Sequence, residues 1–193
     1  FPDGAPATVS DAAALPDADT VNSLVQAVRK AVGQAPRRSG PGPNGSRFEH
    51  WKTLLSDSEA LEANAKVVVL FLLGLLPGEF TSANLGARLL ALRKPNGRLR
   101  PVACGSVPRR LAAKAACEVW KEELKDACGP RQFAVGRKAG CELVLKCVTA
   151  LAEAIPEAAV LAFDASNAFN TLPRQSVLDA VARRAPELLA VAN

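Results

Sequence analysis

The sequence predicts an α+β chain, rich in helix, with one β-hairpin and one short buried strand. Three observations predict it. Apolar residues recur at helical spacing over several long stretches. An Asn96-Gly97 turn separates two segments of strand length, and Ala158–Phe163 is a brief unbroken apolar run. The 193 residues, 49% hydrophobic and 22% charged, are enough for a domain-sized core and have ordinary globular composition.

Residues 1–36 are expected to form an N-terminal arm with one short helix. The first seventeen are rich in Ala, Pro and Asp and lack periodicity. Val21, Leu24, Val25 and Val28 then place a helix near Ala18–Val32, with Asp19 or Thr20 as its cap. Residues 37–46 are a Pro/Gly linker, and 47–193 make up the main domain. There, Ser46 and Glu49 form a capping box for a helix through Trp51 to Leu55. A second helix covers Ser58–Leu76, capped by Asp57 or Ser58 and ended by Pro77-Gly78.

Leu89–Arg93 and Arg98–Ala103 flank Lys94-Pro95-Asn96-Gly97, a turn signal between strands. A helix is expected over Pro108–Ala127, stopped by Gly129-Pro130, and another over Cys141–Ile155. Ala158–Phe163 reads as a buried strand ending at Asp164, and a last helix fills Arg174–Arg183.

Charge narrows the partners. The net charge is +5, and between Ala87 and Ala115 lie Arg88, Arg93, Lys94, Arg98, Arg100, Arg109, Arg110 and Lys114 with no acid among them. A smaller basic group is Arg131, Arg137 and Lys138. Such concentration points to phosphate-bearing partners, although a solvated positive face has the same composition. The 5 cysteines fit no zinc spacing, and His50 is the only histidine. Reduced thiols buried as small core residues in an intracellular compartment are the expectation. The apolar run Val67–Leu76 is about half of what a bilayer span needs, so no membrane partner is expected. Phe1 in place of Met, in a chain with no Met at all, suggests processing or a piece of a longer reading frame.

Taken in order, the motifs resemble the reverse-transcriptase family, of the type found in retroelements without long terminal repeats. Gly42-Pro-Asn-Gly-Ser-Arg-Phe-Glu-His-Trp51 is similar to the block that opens the fingers. Leu92-Arg-Lys-Pro-Asn-Gly-Arg-Leu-Arg-Pro101 is similar to the fingers hairpin, and Val107-Pro-Arg-Arg-Leu-Ala-Ala-Lys114 to the block after it. Gln132-Phe-Ala-Val-Gly136, with Gly140, is similar to the loop leading toward the palm. Leu161-Ala-Phe-Asp-Ala-Ser-Asn-Ala-Phe-Asn170 is similar to the first metal-binding motif. The resemblance spans about residues 40–185 and implies a helix-rich fingers subdomain followed by an incomplete polymerase palm.

The resemblance also implies roles. Asp164 matches the first metal-binding, catalytic aspartate, and Ala165 lends its carbonyl to the second metal. Phe169 matches the residue that excludes the 2′-OH of the incoming nucleotide. Arg100, with Lys94 or Arg98, matches the cations on the triphosphate, and Arg109 or Arg110 lies beside template or nucleotide. The cofactor implied is Mg²⁺, held weakly or not at all. Two-metal phosphoryl transfer needs carboxylates on both sides of the metal pair. The family's aromatic-x-Asp-Asp hairpin is missing here, and after Asp164 the acids are Asp179 and Glu187. The chain is therefore expected to bind RNA or an RNA/DNA hybrid without polymerising alone. The alternative is a domesticated remnant serving as an RNA-binding or structural subunit, with a protein partner or a second copy covering the incomplete palm.

Overall fold

The computed structural model describes residues 14–165 and 171–192. Internal contacts divide the chain into two units that meet in sequence at Val119 and Trp120. It is an α+β structure of many helices and one two-stranded antiparallel hairpin.

In the unit ending at Val119, α1 spans Ala18–Gly33. Its cap is Asp17 rather than Asp19 or Thr20: the Asp17 carboxylate accepts the Thr20 N–H at 2.7 Å. Asp19 and Thr20 already lie inside the first turn, where their own N–H groups are the ones needing partners. Helix α2 (Phe48–Lys52) runs on into a 3₁₀ turn at Thr53–Ser56. Ser46 does not cap it. Arg47 occupies the capping position, and its N–H points to His50 Nδ1 at 3.4 Å. Arginine has no acceptor with which to return the bond. Glu49, the other half of the expected box, instead accepts the backbone N–H of Arg38.

Helix α3 (Ser58–Leu72) is capped by Asp57, which accepts the Ala60 N–H at 2.9 Å. It stops before the expected Leu76. Gly74 adopts φ +69°, the Leu75 N–H bonds Leu70 O at 2.9 Å and the Gly74 N–H bonds Phe71 O at 3.2 Å. This paired closure satisfies the last carbonyls and turns the chain. Pro77-Gly78 then opens α4 (Gly78–Leu85) instead of ending α3. Strands β1 (Ala87–Arg93) and β2 (Leu99–Gly105) follow, then α5 (Val107–Val119).

The core of this unit is α1, α3 and α5, each packed on the other two. Leu24, Val28 and Val32 of α1 lie at helical spacing against Leu61, Ala65 and Val68 of α3 and Leu111 and Ala115 of α5, all buried. Each large aliphatic group so buried stabilises by roughly 1.5–3 kcal/mol. The helix of the N-terminal segment is thus central to the core. Surface pairs on its flanks, Arg29–Glu62 at 3.6 Å and Lys30–Glu118, are half-exposed and add little.

In the unit beginning at Trp120, the helix expected to run through Ala127 is interrupted. Trp120 takes φ −99°, ψ 32°, outside helical geometry, and α6 (Lys121–Cys128) starts afresh. Gly129, at φ +79°, ends it. Helices α7 (Gly140–Ala154), α8 (Arg174–Arg184) and α9 (Leu189–Ala192) follow, with a 3₁₀ turn at Pro186–Leu188 before the last.

Two further expectations need correction. Ala158–Phe163 forms no strand and is exposed, with Leu161 77% and Phe163 91% accessible. An apolar strand needs neighbours to accept its backbone hydrogen bonds and cover both faces. Among the described residues the hairpin is the only sheet. The cysteines are not core residues either: Cys104 is half-buried, and Cys117, Cys128, Cys141 and Cys147 are exposed free thiols. Among the described residues, no helix is long and apolar enough to cross a membrane.

Candidate nucleic-acid interface

The hairpin carries most of the basic stretch. Its register pairs Ala87 with Gly105, Leu90 with Val102, Leu92 with Arg100 and Arg93 with Leu99. Opposed residues share a face, so Arg88, Leu90, Leu92, Arg100, Val102 and Cys104 line one side. Leu89, Ala91, Arg93, Leu99, Pro101 and Ala103 line the other. Leu90, Val102 and Cys104 are half-buried, whereas Leu89 and Leu99 are 72% and 63% exposed. The outer face of the ribbon is exposed.

The tip is a three-residue loop. The Gly97 N–H bonds Lys94 O at 3.0 Å, and the Lys94 N–H bonds Arg98 O at 2.8 Å. Pro95 has no N–H with which to bond Arg98 O, so the two-residue mirror-image turn that Asn-Gly usually favours cannot close and Lys94 makes that bond instead. Gly97 absorbs the reversal at φ +77°, and Asn96 Oδ1 accepts the Arg98 N–H at 3.2 Å. Lys94, Arg98 and Arg100 are thereby gathered at the outer end of the ribbon; both arginines are exposed and Lys94 is half-buried. Arg93 projects from the opposite face to Arg100.

Arg109 and Arg110, which the resemblance puts beside template or nucleotide, sit at the root. Arg109 donates to Leu85 O at 2.6 Å. Arg110 donates to Gly40 O at 3.2 Å, and its guanidinium lies 4.4 Å from the centre of the Phe48 ring. Residues not singled out in the sequence complete the root. Ser106 is fully buried, donates its hydroxyl to Asn84 O at 2.8 Å and accepts the Arg109 N–H at 3.4 Å. Gly42 lies so close that a Cβ there would come within 2.7 Å of Ser106 Cα. The available signal was a Ser one residue before Val107-Pro108, the usual arrangement of a cap before a helical first turn. The Glu49 carboxylate beneath this loop is held below its ordinary range, first by the Arg38 N–H it accepts.

In the other unit, Arg137 of the second basic group is turned inward. It donates to Pro130 O at 3.1 Å and stacks 5.3 Å from the Phe133 ring centre; Arg131 and Lys138 are exposed. Asp164 and Ala165 lie exposed in the segment without regular structure, and Phe169 falls outside the described residues. Among the described residues, no group of three His, Cys, Asp or Glu side chains comes together to hold a metal.

A scan against protein-family models and a search of curated proteins both return no match.

Proposed function

We propose that this chain is the fingers and partial palm of a reverse-transcriptase-like nucleotidyltransferase, gripping RNA or an RNA/DNA hybrid through its hairpin and not polymerising alone. One observation carries the reading. A projecting ribbon holds Arg88, Arg93, Lys94, Arg98 and Arg100, with no acid anywhere on it to neutralise them. Arg forks match phosphate geometry, and phosphate contacts supply most sequence-independent affinity. The order of the sequence blocks supports the family assignment, and the single motif aspartate supports inactivity. Asp164 with the Ala165 carbonyl is half of what a two-metal phosphoryl transfer requires.

The test is fluorescence anisotropy of the full chain on an RNA/DNA hybrid across a salt series. Binding is expected to weaken steeply with salt, and the Arg98→Ala/Arg100→Ala variant to lower the log–log salt slope by about 2, one per lost phosphate contact. Absence of binding at low salt overturns the proposal. It would leave the second reading, a structural subunit of an assembly. That reading is favoured by the exposure of Leu161 and Phe163 together with an apolar stripe on α7, where Val144, Leu151 and the following Ile155 are exposed.

A further inference from the structure

We infer that Arg109 and Arg110 are positioning residues that lock the root of the hairpin, leaving phosphate contact to the cations farther out on β1 and β2. Only the binding arm of the inference rests on the nucleic-acid reading above. A two-stranded ribbon is marginal in water by itself, and this one leaves its outer apolar residues, Leu89 and Leu99, in solvent. Its order must therefore come from where it joins the helices.

At that junction several contacts converge on a few residues. Ser106 ties the start of α5 to Asn84 at the end of α4, and Arg109 ties the first turn of α5 to Leu85. These two bonds close the base of the hairpin, because Asn84 and Leu85 precede β1 while Ser106 and Arg109 follow β2. Arg110 reaches the other way. It binds Gly40 O and lies over the buried ring of Phe48, fastening the 38–48 loop to α5. Gly42 of that loop is pressed against the Gly105 carbonyl and Ser106. The Arg110 Nε is enclosed and has no hydrogen-bond partner among the described residues. A guanidinium already stacked, bonded and partly enclosed is poorly placed to take a phosphate as well.

The experiment is hydrogen exchange of the full chain, read over residues 87–105 and over α1 and α3 as an internal reference, for Arg109→Gln, Arg110→Gln, Phe48→Leu and Arg98→Ala/Arg100→Ala. Both root-arginine variants and Phe48→Leu are expected to raise hairpin exchange about fivefold or more while α1 and α3 stay protected. The tip variant should leave hairpin exchange unchanged. Phe48→Leu keeps every cation, so it reports on the lock even if an arginine variant folds poorly. In the salt series, Arg110→Gln should weaken binding with an unchanged slope. A slope lower by about 1 in Arg109→Gln or Arg110→Gln, with hairpin exchange as in the wild type, would make that arginine a phosphate ligand and overturn the inference. If the wild-type chain does not bind at all, the functional reading fails while the exchange result still decides the positioning role.

Discussion

Three arginines of similar appearance in the sequence have different chemical fates. Arg98 is exposed at a turn, Arg109 holds a carbonyl, and Arg110 is stacked and half-buried. Their charge was legible in the sequence, but its use was not, because the partners of Arg109 and Arg110 are backbone oxygens of Leu85 and Gly40, distant along the chain. Glu49 makes the same point with a measurable consequence. Its pKa is depressed from 4.5, chiefly by the Arg38 N–H. A depressed carboxylate contributes stability that is present above its unfolded pKa and is lost as pH falls through the folded value. The wild type should therefore lose stability as the pH falls through and below the ordinary glutamate range. Glu49→Gln, which cannot ionise, should show a flatter fall over that window in urea titrations at stepped pH. Equal pH dependence in both proteins would rule out this contribution.

At the scale of elements, the helices with a strong apolar stripe and a nearby acidic cap, α1 and α3, lie close to their expected spans because both signals are local. Ends and breaks were less legible. The stop of α3 is Gly74, an ordinary residue in the sequence until its φ of +69° is seen. Gly74→Ala forces a side chain into that left-handed position and is expected to cost about 1 kcal/mol. Denaturant melts would detect this as a lower midpoint with an unchanged slope. The hairpin was legible for a different reason: Pro95-Asn96-Gly97 specifies a reversal whatever surrounds it. The Ala158–Phe163 strand was misread because an apolar run states only that a segment needs cover. Whether it becomes a strand depends on neighbours that the run itself does not encode.

For the whole molecule, burial is uneven. In the unit ending at Val119, α1, α3 and α5 bury a continuous apolar interior; in the unit beginning at Trp120, α7 and α8 have no buried residue. Leu111, 1% exposed, and Leu161 therefore answer the same substitution differently. Leu111→Ala is expected to destabilise by about 3 kcal/mol through lost transfer energy and the cavity left behind. Leu161→Ala should change stability by less than about 0.5 kcal/mol, as at other exposed sites. Chemical denaturation of the two variants checks both values, and a large effect at Leu161 would mean that the segment is covered in solution.

What the sequence determined by itself is whatever depends on near neighbours: the helical stripes, the Pro-Asn-Gly reversal and the acid-free basic stretch from Ala87 to Ala115. Only the tertiary structure decided which cations hold backbone carbonyls at the root of the hairpin. It also decided where α5 gives way to α6, and that a fully apolar run stays exposed. These outcomes turn on contacts between residues far apart in the chain, and on the requirement that each backbone polar group taken from water find a partner. The hairpin shows both levels at once. Its turn is written in the local sequence, while its attachment through Ser106, Arg109, Arg110 and Gly42 exists only once α4, α5 and the 38–48 loop are brought together.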